Sequence, residues 1–307
     1  LGLFFMAEEL NEDSITRFSG YTQFSNTALE FYNASFSWER NGPLVLRNLL
    51  LPPNKLSSVL CSPTHGHVFP VQNSFRLFER LSFTIPRGSL VAVIGSVGSG
   101  KSSLLSACLG ELYRRSGSAQ QWATLAYTSQ SAWIQHQSLR ENILFGAPHD
   151  PTLYAAVVEA CQLEEDIRHL PDGDATEVGE RGLTLSGGQK QRVALARAVY
   201  QQRDIYLLDD PLAAVDVHVG QRLFERVIGP RGILRDRTRI FVTNAYQWLS
   251  NCDRVLVLDN GSVAHFGTFK VDHPNTGPEN PIPFKYGHSM VLFDEGSPIP
   301  CDPLGDL

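Results

Sequence analysis

No apolar run in this sequence approaches the roughly 18 residues that would cross a bilayer as a helix. "LGLFFM" at the start is too short, and no A-x-A-like cleavage site follows it as a secretory signal requires. A basic excess is also missing. The 26 Lys and Arg against 32 Asp and Glu leave a net charge of −6, which argues against a general nucleic-acid binder. Cysteine is scarce: Cys61, Cys108, Cys161, Cys252 and Cys301 are widely scattered, odd in number and form no C-x-x-C pair. They read as unpaired thiols in a reducing compartment rather than as a disulfide framework. The 307 residues give room for one large domain or two small ones. A first residue of Leu1 fits a piece cut from a longer protein, such as the stretch following a membrane helix.

What is present reads as alternating strands and helices. Residues 1–28 are polar and mixed in charge, as expected of a linker. "LEFYNASFSW" (Leu29 to Trp38) is aromatic with partial alternation and predicts a strand. "SLVAVIG" (Ser89 to Gly95) is a continuous apolar run ending in glycine, the mark of a strand buried on both faces. "KSSLLSACLGEL" then has helical spacing, while "DIYLLDD" and "TRIFVTN" are further buried-strand candidates. "DRVLVLDNGSVAHFG" predicts a hairpin turning at Asn260-Gly261. The expectation is an α/β fold with a mainly parallel sheet. Two regions break the pattern. The proline-rich insert 43–75 has no sustained period, and "VLRNLLLPP" competes with "LFERLSFTIP" for one place in the sheet. The tail 271–307 is rich in Pro, Gly and acid, so both regions are expected to be disordered or loosely attached to a domain over 29–270.

Gly95, Ser96, Val97, Gly98, Ser99, Gly100, Lys101 and Ser102 fit G-x-x-x-x-G-K-[ST], with Ser103 next in the helix. Glycines let successive backbone N–H groups converge on phosphate oxygens, and the following helix points its positive end at the same anion. The pattern assigns Lys101 to the β- and γ-phosphates and the Ser102 hydroxyl to Mg²⁺. It arises by chance in roughly 1% of chains this size, and a strand leading in with a helix leading out makes chance rarer still. In "IYLLDDPLAAVD" (Ile205 to Asp216) the apolar run ends in Asp209, expected to hold Mg²⁺ at the sheet end. The adjacent Asp210 is either a catalytic base or a cap on the turn before Pro211.

"LTLSGGQKQRVALARAV" places Ser186, Gly187, Gly188 and Gln189 at the start of a helix, a second anion site in one chain. With this motif the chain resembles the nucleotide-binding domains of ABC transporters, where LSGGQ of one domain closes on the ATP held by another. The likeness runs from about Phe31 to Phe269, excluding the insert. "GSVGSGKSSLLSACLGEL", "YTSQSAWIQHQSLRENILFG", "LPDGDATEVGERGLTLSGGQKQR" and "YLLDDPLAAVDVHVGQRLFERVIGP" are similar to the first such domain of the multidrug resistance-associated branch, subfamily C.

The resemblance implies the P-loop NTPase ABC-type fold: a mainly parallel core sheet, an antiparallel β subdomain and a helical subdomain carrying the signature. It implies ATP and Mg²⁺ as cofactors, a second nucleotide-binding domain in a head-to-tail dimer, and transmembrane domains of an exporter at the cytoplasmic face of a membrane. By the same resemblance Trp38 stacks on adenine and Gln130 senses Mg²⁺ and the γ-phosphate. "TEVGERG" (Thr176 to Gly182) and the loop after Gln130 grip transmembrane helices, and Asp216 communicates across the dimer. Two residues depart from the pattern. Asp210 stands where active sites carry glutamate, as is usual for first domains of the branch, and Asn244 stands where they carry a γ-phosphate-contacting histidine. The implied catalytic set is Asp210, Gln130 and Asn244, at a site that binds MgATP well and cleaves it poorly. Neutral drift at a slow site and selected loss both remain open for Asn244. An exporter's motor half and a regulatory module gating a channel or receptor-type partner are the two functional readings.

Overall fold

The computed structural model describes residues 14–18, 26–38, 78–179 and 184–269, together with the backbone of 282–286 and 289–293. The insert 43–75, most of the linker, residues 180–183, which include the end of the "TEVGERG" stretch, and the rest of the tail lie outside the described residues.

Two sheets and a set of helices form three layers. The first sheet has the order β1-β5-β2-β3, from β1 (Thr16–Arg17), β2 (Thr27–Ser37), β3 (Phe78–Pro86) and β5 (Tyr113–Gln121). β2 pairs antiparallel with both β3 and β5, and β1 adds in parallel to β5. The register of β2 slips after Phe31, where Asn33 takes a left-handed φ of 46°. Gly117 faces this bulge: a Cβ there would stand 2.2 Å from the Asn33 carbonyl oxygen, so only glycine fits. Of the two candidate segments, "FERLSFTIP" forms β3, while "VLRNLLLPP" lies outside the described residues.

The second sheet runs β12-β11-β4-β10-β9-β6, from β4 (Leu90–Gly95), β6 (Leu125–Thr128), β9 (Ile205–Asp209), β10 (Thr238–Val242), β11 (Arg254–Asp259) and β12 (Ser262–Gly267). All neighbours are parallel except β11 and β12, which form the expected hairpin. Asn260 and Gly261 turn it, both at positive φ (48° and 79°). β4, β9 and β10 are buried at every residue. Their side chains serve two cores in alternation. Ile205 and Leu207 pack toward the first sheet and α1 (Lys101–Leu109), while Tyr206 and Leu208 pack toward the helices on the other face. Two apolar faces explain why these strands are continuous apolar runs.

The helical layer contains α2 (Leu139–Leu144), α3 (Pro151–Ala160), α4 (Glu164–His169), α5 (Gly187–Tyr200) and α6 (Val217–Leu223), which continues as a π-helical turn over Phe224–Ile228. A short antiparallel bridge joins β7 (Gln137–Ser138) to β8 (Glu177–Val178).

Two segments are more ordered than composition suggests. Within 1–28, Ser14 and Ile15 are buried, β1 joins the sheet and Phe18 stacks on Trp122 at 5.5 Å. Buried Ile15, the stacked Phe18 and the hydrogen bond from Arg17 to the Leu109 carbonyl (2.8 Å) hold this polar segment at the sheet edge. Within 271–307, β13 (Ile282–Tyr286) and β14 (Ser289–Phe293) pair as an antiparallel hairpin.

Candidate functional site

Parallel pairing puts the C-terminal ends of β4, β9 and β10 along one edge, with Val242 level with both Asp209 and Val93. Ligands of open parallel sheets bind at such an edge. Beyond β4 the chain curls through Gly98 (φ 81°) and Gly100 (φ 103°) into α1. A Cβ on Gly95 would stand 2.3 Å from the Leu258 carbonyl oxygen, and one on Gly100 would meet Phe78 at 3.0 Å. No side chain caps α1 and no acid lies in its first turn, which leaves its N–H groups for an anion. Val97 at the tip is 90% exposed, whereas Ser99 is buried and accepts from Gly261 N–H through its carbonyl (3.1 Å).

Five of the expected residues converge beneath this loop. Lys101 Nζ donates to the carbonyls of Gly95 (2.8 Å) and Ser96 (3.0 Å), which uses two of its three protons. Ser102 Oγ donates to Asp209 Oδ1 (3.1 Å). Asn244 Nδ2 donates to Asp210 Oδ2 at a long 3.4 Å. Burial holds the Lys101 ammonium below its usual pKa, against the pull of Asp210 and Asp209. Burial also pushes both carboxyls up, and the charge of Asp209 raises Asp210 further. A buried carboxylate and a partly buried one share one cation, so the pocket is short of positive charge. The donor set of hydroxyl and carboxylate oxygens suits a hard divalent ion such as Mg²⁺.

Asp210 takes part in the turn through its backbone and not through its side chain. Its backbone closes the turn, with Ala213 N–H donating to its carbonyl (3.2 Å) across Pro211. Its carboxylate reaches Asn244 instead of capping that turn. The left-handed φ of 47° aims the side chain away from the strand direction.

Other expected residues sit apart from this cluster. Gln130 is exposed, two residues past the end of β6. Trp38 follows β2 and is 40% exposed, so it is not a packed core residue. Asp216 caps α6, accepting from His218 N–H (3.1 Å) and Val219 N–H (3.0 Å), and these bonds hold its carboxyl below the usual range. Ser186 caps α5: its Oγ accepts from Gln189 N–H (3.2 Å), while Ser186 N–H donates to Gln189 Oε1 (2.8 Å). A hydroxyl that accepts in this way keeps its own proton to donate. A Cβ on Gly187 would meet nothing within 4 Å, and one on Gly188 would stand 3.1 Å from the Ala214 carbonyl oxygen.

The sequence reading missed what holds Gln189. Its Nε2 donates to Asp166 Oδ1 (2.9 Å), and Arg192 pairs with the same carboxylate (2.7 Å). Both ends of the Gln189 amide are thus engaged within the chain. The acidic run opening α4 was visible in sequence, but only the packing shows which acid faces α5.

Comparisons with known proteins agree with this arrangement. Residues 78–213 match the profile of the ABC transporter family. The chain is 43% identical over 267 residues to the multidrug resistance protein mrp-7 of Caenorhabditis elegans, covering 87% of this chain and 16% of that protein. It is 50% identical over 189 residues to human ATP-binding cassette sub-family C member 3 (62% and 12%) and 43% identical over 242 residues to human sub-family C member 2 (79% and 14%). The chain therefore spans about a sixth or less of each relative it matches. On these likenesses the chain carries an ABC transporter ATPase domain of the subfamily C, multidrug resistance-associated type.

Proposed function

We propose that the domain binds MgATP at the loop from Gly95 to Ser103 and cleaves it slowly. In this reading Lys101 and the N-terminus of α1 hold the phosphates, with Trp38 stacking on adenine and Gln130 facing the γ-phosphate. Ser102, Asp209 and Gln130 would hold Mg²⁺, which would neutralise phosphate charge. Asp210 is the base position and Asn244 its companion. The observation that carries the reading is the pairing of these two residues beside Lys101 and Ser102. A carboxylate is in place to accept a proton from water, but it is one methylene shorter than glutamate, a shortfall of roughly 1.5 Å. Misplacement on that scale costs about 100-fold. Asn244 can donate a hydrogen bond but cannot carry a proton.

The second anion site has a different role. Ser186 with a free hydroxyl proton, and Gly187 with open space before it, would complete the ATP site of a second nucleotide-binding domain in a head-to-tail dimer. We infer that the parent is an exporter of drugs or organic anions, a reading supported by the printed name of one relative, a multidrug resistance protein, with this domain first in its chain and on the cytoplasmic face of a membrane. Residues 29–270 form the domain, and β1 extends it toward residue 14.

The test is MgATP affinity and single-turnover hydrolysis of the full chain, alone and mixed with a glutamate-bearing partner domain. The expected result is tight binding and cleavage about 100-fold below that of the partner's own site. Turnover by the chain alone equal to that of a glutamate-bearing domain would sink the slow-site reading.

A further inference from the structure

A cavity of about 370 Å³ opens between α6 and the 3₁₀ helix Tyr246–Asn251, and no residue of the Gly95 loop or of the start of α5 lines it. Its size lies within the roughly 300–1,000 Å³ of small-molecule sites. Val217, Gln221, Phe224 and Glu225 form one wall. Their spacing of i, i+4, i+7 and i+8 puts them on a single face of α6 and its π-helical extension. Gln247 and Trp248 of the 3₁₀ helix form a second wall. Trp248 and Phe224 are both buried and stack on each other, with centroids 4.5 Å apart and planes 21° from parallel. The cavity therefore has a flat aromatic base.

Arg231 completes the lining, and the backbone is built to bring it there. After the π-helical turn, a feature that recurs at functional sites, the chain folds back on itself. Ile233 N–H donates to the Arg226 carbonyl (2.8 Å), and a Cβ on Gly232 would stand 2.4 Å from the Val227 carbonyl oxygen. Charge around the cavity is uneven. Glu225 Oε1 already accepts from Gln221 Nε2 (3.1 Å). Nearby Arg226 pairs with Glu159, and Arg235 with Asp236. Arg231 is exposed and has no hydrogen bond or ion pair among the described residues. An unpaired guanidinium offers a planar fork of donors that matches a carboxylate, and two stacked rings favour a third aromatic plane beside them.

We propose that this cavity is a binding site for a small planar aromatic anion, its ring against Trp248 and Phe224 and its carboxylate on Arg231. The site is separate from the Gly95 loop and does not depend on the MgATP reading. It calls for an apolar plane with one negative charge, whereas the Gly95 loop calls for phosphates and a cation.

Titration of the full chain with 2-naphthoate, followed by the indole signals in ¹H–¹⁵N spectra, tests this. The chain has four tryptophans, and Trp248→Phe assigns one signal. Should that variant not fold, Trp38→Phe, Trp122→Phe and Trp133→Phe assign it by exclusion. The Trp248 signal should shift saturably with 2-naphthoate, and the neutral naphthalene-2-carboxamide should bind about fivefold more weakly. Arg231→Gln, at an exposed position, should weaken 2-naphthoate by about the same factor and leave the carboxamide unchanged. Saturating MgATP should leave the shift in place. The proposal is overturned if the Trp248 signal does not move, or if acid and amide bind the unsubstituted chain equally. Equal weakening of both probes by Arg231→Gln would make the arginine structural, and loss of the shift with MgATP would place the probe at the Gly95 loop; either result also overturns it.

Discussion

Single residues set the chemistry of this domain through length and charge. Asp209 and Asp210 are neighbours, yet the strand puts them in different settings: one is bound to the Ser102 hydroxyl at 3.1 Å and the other to the Asn244 amide at 3.4 Å. Their identities were plain in sequence, as were those of Lys101 and Ser102. What was not legible was that Asp210 takes a left-handed φ of 47°, because its turn is fixed by the Val242 carbonyl accepting from its N–H across the sheet. If reach and proton capacity limit cleavage, restoring both should release it. Asp210→Glu combined with Asn244→His should raise single-turnover hydrolysis by about 10- to 100-fold with MgATP affinity little changed. The double variant is the informative one, because glutamate without a proton-carrying companion restores only part of the site. No rise in rate would show that something other than these two side chains limits the step.

At the scale of elements, the sequence was legible where one local rule sufficed. The apolar runs at Leu90–Gly95, Ile205–Asp209 and Thr238–Val242 are strands because each packs two cores, and Asn260-Gly261 turns a hairpin because both can take positive φ. Legibility ended where partners distant in sequence decide. The bulge of β2 depends on Gly117, the order of β1 on Phe18 meeting Trp122, and the posture of Gln189 on Asp166. The 3₁₀ turn Gly173–Ala175 is such a case: Arg140 from α2 grips Asp174 with both ends of its fork, at 2.9 and 2.6 Å. That guanidinium holds the Asp174 carboxyl below its ordinary 3.8. A depressed carboxyl contributes stability above its unfolded pKa and loses it as pH falls through the folded value. Asp174→Asn should therefore cost up to about 1 kcal/mol at pH 7, the usual limit for a pair open to water. The difference between the two proteins in urea melts should vanish as pH drops well below 3.8. A gap that persists in strong acid would mean that the ion pair is not its source.

For the whole molecule, the proposed MgATP loop and the start of α5 differ in how far the chain itself closes around them. The loop at Gly95 is closed in by its own strand end, with Lys101, Asp209 and Asp210 all supplied in cis. The start of α5 is built differently. Its cap is satisfied internally, Gln189 is locked to Asp166, and in front of Gly187 there is nothing within 4 Å. A preorganised helix end facing open space is suited to a phosphate brought by another domain. Gly187→Asp separates the two sites. A Cβ there would meet nothing within 4 Å among the described residues, and an acid in the first turn of a helix is favourable by about 0.3–1 kcal/mol, so the fold should hold or gain slightly in thermal melts. The same charge would stand where the partner's γ-phosphate must come, and like charges in a closing interface repel. In a mixture with a glutamate-bearing partner domain, ATP-dependent association and the partner's hydrolysis should fall by at least about tenfold, far more than any change in MgATP affinity at the Gly95 loop. Partner hydrolysis unaffected by Gly187→Asp would remove the start of α5 from the shared site and leave it a well-capped helix.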